Sequence, residues 1–571
     1  MKPGIETLPG HASARPKPGV LRDSLFVFLI VVGSAAPYLG GLGFHSDDWA
    51  FLADMSGSRE PTIRAAFGAL YRDDMRMRPV QILVLAVLFR LFKLEPLGYH
   101  VVNTALLGAG AVLCYLVCRE LGIWRHLALA VALVFSVLPH YSTDRLWVAT
   151  IQVTLSMSLY LLSLHADLRA TRSTSTGSWG WRVLALVAMV TSVLAYEVVL
   201  PFFLLNPVLA AVQGRRAVRA EGGPVPAAVR LPTLLATTGL VLLPVLLWKL
   251  EAAAPRLASL TFSQKVASFG RLLRGSVAVS YGEYGIRLPL VVVRILRDYP
   301  SVTVSVTALA VTLIVFLYVW WVMREAGHHQ GRSLAAAAVA LVGAGFTIFF
   351  LGHVVFFYTQ NADYSPTGIS NRVAIAATLG VALGWVGALV AVLAPITRER
   401  LRNAAFAGGV AAAAGVSVLI VDTIGMFWVE AYRQEQHVLH EIRRAFPQLP
   451  PGTTLILDGV CPYVGPAPVF DASWDLAGAL RIMYGDNTIR ADIVTPNLRV
   501  EETGLKASAY GVATEYPYHR LLLYHAGLRR HFALDDGHAA HRYFQTHNPT
   551  RDSHCPPGRE GHGVRVFGRS P

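Results

Sequence analysis

Asp47 and Asp48 stand side by side in Gly43-Phe-His-Ser-Asp-Asp-Trp-Ala-Phe-Leu52, directly after an uncharged apolar run from about Leu25 to Leu42. A carboxylate can take up a proton, stabilise a cation or ligate a metal. At the centre of a bilayer it costs roughly 2.5–3.5 kcal/mol, so acids this close to the end of a span are usually tied to a task. The competing reading is an ordinary interfacial loop whose acids face water, flanked by Trp49 and Phe51 as aromatics are at headgroup level. Spacing alone leaves the two level. Two neighbouring acids could hold Mg²⁺ or Mn²⁺, but no third ligand is implied. The expectation is therefore no obligatory ion or other cofactor, with a divalent cation left open.

The elements that must carry this pair follow from composition. The chain has 571 residues, is 54% hydrophobic and 15% charged, and has a mean hydropathy of +0.46. Soluble domains average about 25% charged, so this is an integral membrane protein with soluble parts. Its net charge of +14 does not indicate nucleic acid. From Phe427 onward 15 basic and 15 acidic residues cancel, and the excess lies earlier, clustered in short loops such as Arg215-Arg216 with Arg219, and Arg398, Arg400 and Arg402. That is the distribution of arginines facing the cytoplasm. The first apolar run follows Lys2, Arg15, Lys17 and Arg22 without a small-residue cleavage site, so no cleavable signal is expected.

Runs near the ~20 residues needed to cross the hydrocarbon core occur at 25–42, 79–93, 99–118, 126–139, 147–165, 181–196, 198–213, 231–251, 302–322, 333–358, 371–395 and 404–427. With the arginine-rich loops inside, the N-terminus is cytoplasmic and the C-terminal region outside, which demands an odd number of crossings. The short run 79–93 is the weakest, and 285–297 is a candidate not counted. The expected organisation is a cytoplasmic segment 1–24, a helical membrane domain 25–427, and an outer α/β domain 428–571. Two long loops, 43–78 and 252–301, interrupt the membrane domain, and a polar tail follows Asp552. The outer domain opens with a helix from Glu430 to Phe446 and a strand at Thr453–Leu457. Cys114 and Cys118 lie on one face of a span, where they pack as small apolar residues; Cys461 and Cys555 could pair in an oxidising compartment. No zinc spacing, Walker loop or dinucleotide fingerprint is present.

A first span, an outer loop opening with an acidic pair, Arg78-Pro79 introducing the next apolar run, Leu97-Gly-Tyr-His-Val-Val-Asn103, Cys118-Arg-Glu-Leu-Gly122 and Leu138-Pro-His-Tyr-Ser-Thr-Asp-Arg-Leu-Trp147 follow in order. Over roughly residues 20–215 this resembles the C-type membrane glycosyltransferases that use polyprenyl-phosphate sugars, among them protein O-mannosyltransferases and the aminoarabinose transferase acting on lipid A. The resemblance implies a polytopic α-helical fold of about 11–13 transmembrane helices with a C-terminal soluble α/β domain. It also implies an inner-membrane location with the active site outside. Such a reaction needs a general base for a weak hydroxyl nucleophile, a fixed cation for the departing phosphate and a carboxylate near the oxocarbenium-like sugar.

Carried over residue by residue, the resemblance makes Asp47 the catalytic acid of the first loop and Asp48 its orienting or acceptor-binding neighbour. Arg78 is where relatives carry a basic residue on the lipid phosphate; the alternative is an arginine snorkelling at a helix end. Arg372, after the polar loop Gln360–Gly368, is a second phosphate contact or a topology anchor. Asp144, with His140 and Arg145, is a second outer-face acid or the first turn of a helix capped by Ser142 or Thr143. His45 and Glu197 complete the candidates for the donor or acceptor site. A lysine is common in relatives where Tyr196 stands here, so the resemblance implies neither that contact nor a particular sugar. The partners implied are a polyprenyl-phosphate sugar, a glycan, lipid or protein acceptor, and membrane lipids. The competing functions are a lipid-linked saccharide transporter or flippase, though no internal repeat is visible, and a non-catalytic membrane scaffold.

Overall fold

The structure is a computed structural model that describes residues 19–58, 60–72, 75–173, 175–221, 227–253, 261–325, 334–358, 364–509 and 512–551. The N-terminal segment before Gly19, Asp73, Asp74, residues 360–363 of the polar loop before Arg372, residues 254–260 of the loop 252–301, Cys555 and the tail lie outside the described residues. Cys461 is disulfide-bonded, whereas Cys114 and Cys118 are free and buried.

Among the described residues, eight helices are long and apolar enough to cross a bilayer: Pro96–Glu120, Val148–Ala170, Thr176–Ala195, Leu231–Ala252, Val302–Glu325, Leu334–Phe357, Ile369–Leu393 and Glu399–Ala445. Several are apolar on every face, the pattern of helices whose outward side meets lipid rather than water. Leu240 and Leu309 accordingly stand 77% and 70% exposed. Where two helices need close contact the sequence supplies small residues. A Cβ on Gly380 would lie 2.4 Å from the backbone of Phe349, so Leu334–Val354 and Ile375–Leu393 touch through their main chains.

Side-chain contacts identify the two ends of the bundle. At one end Asp23 accepts from Arg125 (Nε 2.7 Å, Nη2 2.8 Å), Tyr115 (2.5 Å) and Tyr318 (2.8 Å). At the other, the His100 ring lies 2.9 Å from the carbonyl of Gly43, and Asn103 Nδ2 donates to the carbonyl of Asp144 at 2.7 Å. Three shorter stretches also lead from one end to the other: Val20–Ser34 and Arg125–Val137 start at the Asp23–Arg125 pair, and Leu200–Glu221 starts just after Glu197 and brings Gln213 to the carbonyl of Glu120. With the eight longer helices they make an odd number of passages between the ends among the described residues.

The run 79–93 does not take part. Its helix, Pro79–Phe92, is 14 residues long, about 21 Å at ~1.5 Å per residue, against a core of ~30 Å. Both of its ends lie at the Gly43 end: Arg78 meets Glu197, and the Phe92 ring packs 5.9 Å from Tyr99, itself 5.3 Å from Phe44. The region 252–301 is not an irregular loop where it is described. Helix runs from Phe262 to Asp298 through a π-helical stretch, Ala278–Arg287. The last span does not stop near 427 either, but continues unbroken to Ala445.

Beyond that helix lies an α/β unit. Strand Thr454–Asp458 pairs in parallel with Arg490–Ile493 on one side and Leu521–His525 on the other, and Arg530–Ala533 adds an antiparallel edge. Thr454–Asp458 is buried along its whole length, as a central parallel strand must be. Helices Ser473–Tyr484 and Gly537–His547 and a three-stranded antiparallel sheet accompany it.

Candidate active site

The chain turns into the helix Asp47–Ser56 through Ser46, whose φ of 46° and ψ of −118° are unfavourable for a residue with a side chain. Neighbouring bonds hold the turn. Trp147 Nε1 donates to the carbonyl of His45 at 2.9 Å, and Asp48 Oδ2 accepts from the amide of His45 at 3.0 Å. The backbone amides of Ala149 and Val148 also face the Asp48 carboxylate and favour its charged form, but burial outweighs them and pushes its titration well above the usual carboxylate range. Asp48 is thus a buried clamp between the first loop and the segment after Trp147, not a wall of the cavity. His45 is buried too, its Nδ1 3.0 Å from Glu435 Oε1, whose other oxygen accepts from Trp49 Nε1 at 3.0 Å. Burial, then the neighbouring His100, pulls the His45 ring down to about 3, so it sits in the core as a neutral hydrogen-bonding group.

Asp47 faces the other way. It lines a cavity of about 700 Å³ with Arg72, Arg78, Arg372, Asp54, Gln81, Gln152 and the aromatic rings of Phe51, Trp147, Tyr196 and Trp474. Of the candidates named from sequence, Asp47, Arg78 and Arg372 meet here. Arg78 forks onto Glu197, Nη2 to Oε1 at 2.6 Å and Nε to Oε2 at 3.4 Å, and its guanidinium lies 4.4 Å from the Tyr196 ring centre. Lys249 Nζ reaches the same carboxylate at 3.1 Å from the Leu231–Ala253 helix. Burial alone would raise the Glu197 titration, but the charges of Arg78 and Lys249 outweigh it and hold the carboxyl well below its ordinary range. Glu197 is therefore a support for Arg78, not a lining group. The lysine missing at Tyr196 has a counterpart in charge, brought by a different helix.

Arg372 is carried by a clamped turn. Asn371 Oδ1 accepts from the amide of Thr143 and from Ser142 Oγ, both at 3.2 Å, while its Nδ2 donates to Tyr284 Oη at 2.7 Å. Thr143 Oγ1 donates to the carbonyl of Gly368 at 2.6 Å. Tyr284 comes from the π-helical stretch, a geometry that recurs near functional sites. The Arg372 guanidinium then rests 5.2 Å from the Trp147 ring centre. Arg72, nearer the mouth, pairs with Asp54 at 2.5 Å.

Three candidates are elsewhere. Asp144 is wholly buried, its carboxylate oxygens without a hydrogen-bond partner among the described residues, and burial holds its titration far above normal against the charges of Arg372 and Arg145. It stands in the first turn of the short helix Thr143–Leu146, with no cap from the Ser142 side chain. Arg145 points into the bundle, donating to Tyr141 Oη at 3.0 Å and to the carbonyl of Ser136. The His140 ring lies 4.2 Å from that of Tyr284, tilted against it by 36°, and burial draws its titration down to about 3.

One wall was not legible in the sequence. Trp474, in the first turn of Ser473–Tyr484, donates its Nε1–H to Asp47 Oδ1 at 2.9 Å. Close seating of that helix on Asp47–Ser56 requires a residue without a side chain at Gly478, where a Cβ would lie 2.5 Å from the carbonyl oxygen of Trp49.

No family model and no curated protein matches this chain. Among solved structures, the crystal structure of ArnT from Cupriavidus metallidurans bound to undecaprenyl phosphate is similar over 83% of this chain and 88% of that one, with 16% identity and a TM-score of 0.34.

Proposed function

We propose that this protein is a C-type membrane glycosyltransferase that moves one sugar from a polyprenyl phosphate to an acceptor on the extracytoplasmic face. The observation that carries the reading is the cavity at one end of an apolar bundle, where Asp47 shares a wall with Arg72, Arg78 and Arg372. A carboxylate and fixed guanidinium groups in one recess suit a reaction that deprotonates a nucleophile and sheds a phosphate.

In this reading Asp47 takes the proton from the acceptor hydroxyl as its oxygen attacks the anomeric carbon. The bond from that carbon to the phosphate oxygen breaks with inversion, and polyprenyl phosphate leaves with the bonding electrons. Arg78 and Arg372 receive the developing phosphate charge. Arginine suits this because it stays charged in a low dielectric and can grip two oxygens. The guanidinium groups supply the positive charge, so the reaction calls for no obligatory metal ion.

The test uses purified full-length protein in nanodiscs with undecaprenyl-phosphate glucose, mannose, galactose and arabinose, each labelled in the sugar. Release of undecaprenyl phosphate from at least one donor, to added membrane acceptors or to water, is expected. Accumulation of intact donor in the opposite leaflet of vesicles, with no release, would instead mark a flippase.

A further inference from the structure

We propose that Trp474 is a positioning residue for Asp47, so that the region beyond the membrane is part of the active site rather than an appendage to it. This rests on the reading of Asp47 as the base. An aspartate carboxylate rotates freely about its last bond, and a base must aim a lone pair at the acceptor oxygen. The Trp474 Nε1–H, 2.9 Å from Asp47 Oδ1, fixes that rotation. Indole is a donor only; it can orient the carboxylate but cannot compete with it for the acceptor's proton.

Both partners of this bond are anchored to one patch. Asp475 Oδ2 accepts from the amides of Asp471 (2.7 Å) and Ala472 (3.2 Å), fixing the first turn that carries Trp474. Asp471 in turn accepts from Tyr463 Oη at 2.9 Å and from Ser46 Oγ at 3.5 Å, and Ser46 directly precedes Asp47. Gly478, one turn further on, rests against the carbonyl of Trp49. The indole is therefore registered against the acid from both sides of the peptide chain that presents it.

The experiment compares the parent protein with Trp474→Phe, with 3-benzothienylalanine at position 474 and with Asp47→Asn. The benzothienyl ring keeps the indole's shape and replaces only the N–H. The probe is whichever of the four undecaprenyl-phosphate sugars the parent turns over. Losing a donor to a charged group should lower kcat by about tenfold. The donor KM should hold, and the acid limb of the pH–turnover profile should move to higher pH, because the carboxylate has lost a bond that favours its charged form. A benzothienyl variant with the parent's kcat and profile would overturn the proposal while an inactive Asp47→Asn left the base reading standing. A fall in kcat without movement of the acid limb would reduce Trp474 to packing and overturn it too. An active Asp47→Asn, or a parent inert towards all four donors, would remove the base reading and this inference together.

Discussion

Arg78 Nη2 lies 2.6 Å from Glu197 Oε1, across 119 positions of sequence. An arginine snorkelling at a helix end would point towards headgroups and bulk water. This one has its fork on the Glu197 carboxylate and the Tyr196 ring beside it, and its side chain forms part of the wall of the cavity that Asp47 lines. Arg78→Gln should therefore cost about ten- to hundredfold in kcat/KM for the donor, the loss of one or more charge-assisted bonds. Arg78→Lys should keep part of it, having the charge without the fork. Steady-state kinetics with varied donor distinguish the two. A kcat/KM for Arg78→Gln equal to the parent's would return Arg78 to a merely structural part.

The same pair sets a pH expectation. Glu197 is held below its ordinary value of 4.5 by Arg78 and Lys249, against the opposing effect of burial. A depressed carboxyl contributes stability that is complete above the unfolded value and drains away as pH falls through the folded one. Thermal stability referable to Glu197 should be flat from pH 7 to about 5 and decline only below about 4.5, relative to Glu197→Gln, which lacks it throughout. Melting curves of both proteins across pH 3–7 check this. Their difference should narrow towards the acid end.

Asp47 and Asp48 should separate cleanly although they are neighbours. Asp47→Asn removes a proton acceptor at the cavity wall, and turnover should fall by about 10²–10⁴-fold with little change in melting temperature. Asp48→Asn puts an amide where buried backbone N–H groups need an acceptor. It should lower the melting temperature by a few degrees, the signature of roughly 1–3 kcal/mol, with a smaller loss of turnover. Equal thermal effects for the two variants would contradict the division of roles.

The proposed orientation, with the arginine-rich loops in the cytoplasm, has a direct test. A cysteine introduced at the exposed Thr488 should react with an impermeant maleimide added to intact cells, and one at the exposed Thr397 only after the membrane is opened. The reverse pattern would put the cavity on the side where the loop arginines are expected and remove the extracytoplasmic assignment.

Much of this site could be read from the sequence because its chemistry sits at the ends of apolar runs. Asp47 follows the first span, Arg78 precedes a proline at a helix start, and Arg372 opens a span, so each stands out against its neighbours. The same logic misleads at Asp48, His45, His140, Asp144 and Arg145. Polar residues at a span end look alike whether they face a cavity or the core, and only the fold turns Asp48 inward and Asp47 outward. Lys249 is hidden for a related reason: near the end of an apolar helix, a lysine reads as an interfacial anchor until Glu197 appears beside it. Trp474 could not be found at all, since nothing local ties the first turn of a soluble helix to an acid 427 positions away. Run 79–93 was apolar enough to be counted as a span, and length did not set it apart, since Arg125–Val137 is shorter still and does join the two ends; only the contacts at both of its termini do.

The unbroken helix Glu399–Ala445 has a consequence of its own. Its 47 residues reach about 70 Å, more than twice the ~30 Å hydrocarbon core. Within the described residues it is the one covalent link from the bundle to the α/β unit, and it is stiff. Glu435, well along it, bonds both His45 and Trp49, so this shaft is gauged against the loop that bears Asp47. One residue inserted upstream of Glu435 would turn everything beyond it by about 100° and lift it by about 1.5 Å. Evolution can vary the side chains on the outer surface of this shaft, but its phase and its length are not free to drift. Any change of either must be matched by a compensating change in the loop that meets it.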